Sequence, residues 1–376
     1  MNGDARRSLR LVLCIALASG LSWAICHALG LGSAAPYGVV VAALIVRPRF
    51  DAWPRPVFVL LPLVVGLGLG LGTLLQPLID GPEVWQFAVV TACAQILAQA
   101  LPDRLLAVRN ILAVLAVLPL MAASADALTS WHQLLAVLCG LATGSLLQAA
   151  LRLPGDPGAP EPPPALPARS LAQRFRDPYF WRKLIVASLA LSVGMGLGAV
   201  TPKYLYFGVV LLLNDSLGAT LLRVRDRMVG VSLGVLMPWL VFNCFGSGSG
   251  AVTVALVMGG TAALMLALGQ VDHLRTALIS SGVTFVGYGA LSGWYIPHRW
   301  LDYLLGCGLA LLACAAIRPF SALARFRQLA ADLPVGPLPP QLTALLPSAL
   351  EEARMLGLER QFQADLEQIL GPGGKA

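Results

Sequence analysis

Apolar residues along this chain come in long runs separated by short polar breaks, from residue 11 to residue 317. Twelve such segments can be marked: 11–30, 35–46, 57–76, 85–101, 110–124, 133–151, 184–200, 204–222, 228–245, 250–269, 276–293 and 300–317. A helix crossing the hydrocarbon core takes about 17 to 25 residues, so most of these have the right length. Several are short or interrupted. Segment 35–46 is short and carries Pro36 and Gly38, and Asn214 and Asp215 interrupt 204–222. After Pro319 the pattern changes: Leu342, Leu345, Leu346, Leu350, Leu358, Phe362, Leu366 and Ile369 recur at near-helical spacing among acids and glutamines, predicting amphipathic helices.

Composition agrees with the pattern. Hydrophobic residues make up 57% and charged residues 12%, with a mean hydropathy of +0.76; a soluble domain carries about 25% charged residues. The expected fold is an all-α polytopic membrane protein with about twelve transmembrane helices. When the segments are threaded alternately, all of the 26 lysines and arginines except Lys203 and Arg299 fall on one side. The positive-inside rule makes that side cytoplasmic, with both termini there, in a cell inner membrane. The net charge of +7 thus reflects topology and anionic lipid. No basic patch interleaved with aromatics suggests a nucleic-acid partner. The first apolar stretch exceeds a signal-peptide core and reads as an uncleaved helix.

Residues 153–181 open with a proline-rich stretch, LPGDPGAPEPPPALPA, and form a cytoplasmic linker. It separates a first six-helix unit, 1–152, from a second, 182–319; residues 320–376 are the cytoplasmic tail. The units read as tandem repeats. Each begins with a basic residue leading an apolar helix (Arg10, Lys183), and each has an aromatic-Gly-Val-Val in its second helix, Tyr37–Val40 and Phe207–Val210. Within the second unit, Arg227-x-x-Gly230-x-x-x-Gly234 and Arg299-x-x-Asp302-x-x-x-Gly306 share a spacing while entering from opposite faces. That suggests inverted three-helix repeats; close helix packing at glycine explains the same spacing. Gly66, Gly68, Gly70 and Gly72 in the third helix, and Gly194, Gly196 and Gly198 in the seventh, are packing residues, with Gly66–Gly70 and Gly194–Gly198 as same-face pairs.

Enzymatic chemistry finds no support. The chain has no Gly-x-Ser-x-Gly, no Walker A loop and no His-Glu-x-x-His, and its four histidines are scattered. Its seven cysteines all lie in apolar segments without a Cys-x-x-Cys pair, as packing residues. No metal or cofactor is expected, and without a nucleotide loop the energy source is an ion gradient or simple diffusion. Polar groups at membrane depth are the informative ones, because they are costly there. Arg227, followed directly by apolar sequence, is the candidate to attract an anion from the cytoplasm, since a guanidinium holds a carboxylate bidentately. Arg223 and Arg225 share its turn and are explained by topology. Arg299 stands on the face that avoids basic charge and is the second candidate, with Asn214 and Tyr206 as further substrate contacts. Asp302 and Asp215 are candidate proton carriers; a pair of Asp302 with Arg299, or of Asp215 with Arg223 or Arg227, is the competing reading. Lys203, Tyr204, Trp294, Tyr295 and His298 collect at the outer loops, where an interfacial aromatic belt accounts for them.

The run from Leu213 to Gly234, with Ser216-Leu-Gly-Ala-Thr220 followed by Arg227, Gly230 and Gly234, resembles the fusaric acid resistance and aromatic acid exporter family. Val231 stands where that family has Thr. Arg299-Trp-Leu-Asp-Tyr-Leu-Leu-Gly306, followed by Pro319, is similar to the family's second element. The likeness covers residues 182–319; over 8–151 it is limited to the helix pattern and the Tyr37 region. It implies proton-coupled export of aromatic carboxylates or similar organic anions, with a periplasmic adaptor and a second copy of the chain as candidate partners beside the lipid bilayer. The family's large soluble domain between halves is replaced here by the proline linker. A passive organic-anion channel and a scaffold acting through the tail are the alternative functions.

Overall fold

The computed structural model describes residues 3–51, 53–54, 56–101, 106–121, 127–153, 170–200, 202–213, 216–245, 250–288, 292–317, 321–331, 336 and 338–370. Among these residues the regular structure is entirely helical. The first six helices are α1 (Gly3–Ala28), α2 (Ala35–Ile45), α3 (Val57–Leu75), α4 (Glu83–Ala100), α5 (Leu106–Met121) and α6 (Ala127–Ala150). A short α7 (Leu171–Phe175) leads to α8 (Pro178–Gly196), α9 (Lys203–Leu212), α10 (Leu217–Gly234), α11 (Leu236–Phe245), α12 (Ala251–Ala267), α13 (Leu274–Tyr288) and α14 (Ser292–Ala316). The tail forms α15 (Ala322–Ala330), α16 (Pro340–Met355) and α17 (Glu359–Leu370).

Among the described residues, five spans are long and apolar enough to cross a membrane: residues 5–28, 57–78, 127–150, 217–244 and 296–316. Side-chain placement points the same way. On α1, Leu9, Leu13, Leu17 and Leu21 form an exposed stripe, each about half accessible, while Cys14, Ala18, Ser19 and Ser22 are fully buried. Placing leucine outside and hydroxyls inside suits a hydrocarbon solvent and not water. Helix α8 repeats the arrangement, with Trp181, Ile185 and Leu189 exposed.

One stretch departs from the sequence reading. The arginine-rich residues 223–227 do not form a turn; they lie inside α10. Ser216 Oγ accepts from the amide of Ala219 at 3.2 Å and starts that helix as N-cap serines do. The chain then stays helical through the charged stretch to Gly234. There Pro238 of α11 has no amide to offer the Gly234 carbonyl, and the helix breaks at Val235.

The chain divides into two compact units. One holds Met1–Ala98, Ala107–Pro164 and Arg227–Leu301. Its centre is α1, which packs on α2, α6 and α12, while α2 packs on α6 and α13. The core is built of small and branched residues, among them Ala18, Val39, Ala42, Ala43, Val257, Ala262 and Ala277; small side chains let helix backbones approach where no hydrophobic effect drives them together. The α2–α6 crossing is close: Gly140 faces Gly38 and Ala42 with no room for a methyl group on either glycine. In α3 the packing pair is Gly68 and Gly72, against Leu115 and Ala116 of α5, and not Gly66–Gly70; Gly70 has open space around it.

At the basic end of this unit the loop after α2 is tied down. The Arg10 guanidinium stacks 4.1 Å above the Phe50 ring and donates to the Leu151 carbonyl at 3.3 Å. Arg47 stacks 3.7 Å above Trp53. Gln148 of α6 accepts from the Arg47 amide at 2.9 Å and donates to the Asp51 carbonyl at 2.7 Å. Phe50 is fully buried with φ of 55°, a left-handed backbone. Burial pushes the Arg47 guanidinium pKa down; Asp51 opposes this and Arg275 adds to it.

The other unit holds Gln99–Leu106, Ala165–Asp226 and Asp302–Ala376. In it α8 packs on α9, and Gly208 of α9 meets Gly306 of α14, where a methyl on Gly208 would lie 2.9 Å from the Gly306 backbone. Gly194 abuts Pro202, whereas Gly196 and Gly198 touch nothing within 4 Å. Arg182 donates to the Ile317 carbonyl at 3.4 Å. The tail helices enclose their own core of Leu323, Phe326, Leu342, Ala349, Phe362 and Leu366. Glu352, 5% exposed, accepts from Ser321 Oγ at 2.6 Å and from the amides of Ala322 and Leu323 at 2.9 and 3.4 Å, capping α15. Its stem runs over Gly218 at the start of α10: a methyl there would lie 2.9 Å from Glu352 Cβ. The tail thus docks on the Ser216–Thr220 stretch.

Candidate anion site along helix α13

Glycine positions the first arginine. A methyl group on Gly230 would lie 2.6 Å from Thr276 Cβ, and one on Gly234 would lie 2.7 Å from the Ala277 Cα. Both glycines of the Arg-x-x-Gly-x-x-x-Gly element therefore serve to seat α10 on α13. One turn earlier on the same helix, half-buried Arg227 reaches across, and its Nη1 donates to Thr276 Oγ1 at 3.4 Å. Arg225 points elsewhere, pairing with Asp226 at 3.3 Å in an exposed position; such a surface pair contributes little.

The second arginine reaches the same helix. Arg299, 3% exposed, donates from Nη1 to Thr284 Oγ1 at 3.2 Å. Thr276, Ser280 and Thr284 stand at i, i+4 and i+8, so they share one face of α13 over about 12 Å. Ser280 donates to the Val231 carbonyl of α10 at 3.3 Å. Next to them Ser281 pairs with Thr261 of α12 at 2.9 Å, and Thr261 donates to the Val257 carbonyl at 2.8 Å. Two guanidinium groups thus bracket a line of hydroxyls, half-buried at Thr276 and buried at Ser280 and Thr284, inside one compact unit. The N–H groups of a guanidinium and the O–H of a hydroxyl are donors of the kind an anion accepts from.

Thr276, Ser280 and Thr284 of α13 were not singled out in the sequence, although their four-residue spacing in an apolar helix was a usable signal. The other predicted residues lie elsewhere. Tyr206 is fully buried and Asp302 is 3% exposed; both belong with Gly306 to the second compact unit. There Tyr204 and Tyr303 rings sit 6.0 Å apart. Asn214 and Asp215 lie outside the described residues. His298 Nδ1 is 2.6 Å from the Trp294 carbonyl on its own helix. Among the described residues no group of three or more His, Cys, Asp or Glu side chains could hold a metal ion.

No curated protein and no solved structure gives a significant match to this chain. Residues 185–313, which contain both arginine elements and the whole of α13, match the family model described as fusaric acid resistance protein-like.

Proposed function

We propose that the chain is a twelve-helix inner-membrane transporter that exports aromatic carboxylates or similar organic anions from the cytoplasm, with both termini cytoplasmic. The observation that carries this is the convergence of Arg227 and Arg299 on one helix, two turns apart, through Thr276 and Thr284. Arg227 attracts the carboxylate at the basic end, and Arg299 receives it towards the opposite face. Asp302, buried one turn after Arg299 on α14, is the proton carrier in this reading. Lipid, a periplasmic adaptor and a second copy of the chain are its proposed partners.

The transporter is built, in this reading, from two six-helix repeats. Three correspondences support it. Arg10 of α1 donates to the carbonyl following α6, and Arg182 of α8 to the carbonyl following α14. The first helix of each half ends near a left-handed glycine, Gly30 with φ of 72° and Gly198 with φ of 68°, a conformation that glycine adopts without penalty. The second and sixth helices of each half meet at glycine, Gly38 with Gly140 and Gly208 with Gly306. Helix α5, the counterpart of α13, contains no serine or threonine. In this reading the later half carries the site and the first half supports it.

Uptake of labelled benzoate into proteoliposomes under an imposed pH gradient tests the function. Wild type should accumulate it. Arg227→Ala and Arg299→Ala should each lose about tenfold or more, the scale of one charge-assisted hydrogen bond, and Asp302→Asn should transport without responding to the gradient. Arginine variants that match wild type would remove the site. Flux in wild type that ignores the pH gradient would make the protein a passive channel.

A further inference from the structure

Hydroxyl protons along the buried line are not used equally. Ser280 donates to the Val231 carbonyl, Thr261 to the Val257 carbonyl, and Ser281 is left to donate to Thr261. Thr276 and Thr284 differ. Each accepts from a guanidinium, and among the described residues neither finds an acceptor for its own proton, not even the carbonyl four residues back that Thr261 uses. Thr284 is fully buried, so water does not readily supply the missing acceptor. Leaving a buried donor unmet is costly, and such a group calls for a ligand. The two threonines in this state are the two that touch arginine.

We infer that Thr276 with Arg227, and Thr284 with Arg299, form two carboxylate-binding stations on α13, each offering an O–H and a guanidinium N–H to the same anion. This rests on the organic-anion reading above and adds to it which residues hold the carboxylate and in what order. The stations are about 12 Å apart, too far for one carboxylate to span. The anion leaves the half-buried Thr276 station before it occupies the enclosed Thr284 station. The first station sets capture from the basic end, and the second sets the rate of passage. A carboxylate suits both because it accepts two donors at once; an amine or a neutral aromatic offers these donors no equivalent acceptor.

Initial rates of benzoate transport against concentration, in proteoliposomes containing the full chain, test the assignment. Thr276→Val should raise KM about tenfold with kcat near wild type. Thr284→Val should lower kcat about tenfold. Thr276→Ser and Thr284→Ser, which keep the hydroxyl, should return each constant to within about twofold, a rescue that a purely packing role does not give. Valine is close to threonine in shape; if either valine variant fails to elute as a folded species, the alanine variant replaces it in the same assay. Valine variants indistinguishable from wild type, in a protein that Arg227→Ala inactivates, would overturn the two stations and leave the transporter reading intact. Wild type that moves no carboxylate would overturn both.

Discussion

Phe50 shows how a single residue carries several conflicting demands. Its backbone is left-handed, which costs a residue with a Cβ about 1–2 kcal/mol, yet its ring is fully buried beneath the Arg10 guanidinium. The ring is kept because burial and a desolvated cation–π contact outweigh the strain. Thermal unfolding in detergent should therefore show Phe50→Ala destabilised by about 3–5 kcal/mol. Phe50→Gly, which loses the same ring but frees the backbone, should be less damaged. Glycine unfolding at or below the temperature of alanine would show that the strain is absent. At this scale the sequence singled out charges and passed over hydroxyls. Arg227 and Arg299 stood out because a charge beside apolar sequence is costly. Thr276 and Thr284 did not, because a threonine in a membrane helix normally satisfies itself on the preceding turn, and only the structure shows that these two fail to.

Among the elements, the helices were legible and their ends were less so. The apolar runs predicted α3, α4 and α12 closely, since length and hydropathy decide them, whereas α1 and α6 begin eight and six residues before the marked segments. Helix α10 was misread because four charges in five residues suggest a loop, whereas the Ser216 cap and the glycines facing α13 hold the helix through them. Spacing in α3 named the wrong pair of glycines: alternating Gly66–Gly72 offers two faces, and nothing in the sequence says which meets a neighbour. Contact separates the two kinds of glycine experimentally. Gly230→Ala places a methyl against Thr276 and should cost about 1–3 kcal/mol. Gly70→Ala has open space and should gain up to about 1 kcal/mol from helix propensity. A Gly230→Ala protein that unfolds in detergent at or above the wild-type temperature would show that α10 and α13 are not in close contact.

For the molecule as a whole, connectivity and packing follow different routes. The proline-rich linker separates two halves of the sequence, but α1 packs on α12 and α2 on α13, across that divide. Periodicity reports which face of a helix is buried and is silent on which neighbour buries it. The tail was similarly half-legible: its amphipathic helices were predicted, its docking place was not. That docking has a consequence for how the chain can change over time. Glu352 lies over Gly218 and caps α15 in the same conformation, so the two positions constrain each other although they are remote in sequence. Gly218→Ala should be harmful in the intact chain and nearly silent in one lacking residues 321–376, where Glu352 no longer covers it. Comparing the melting shift of Gly218→Ala in the two backgrounds measures the coupling; equal shifts would mean the tail does not rest there. A lineage that sheds its tail is thereby released to vary a glycine that the docked tail holds in place.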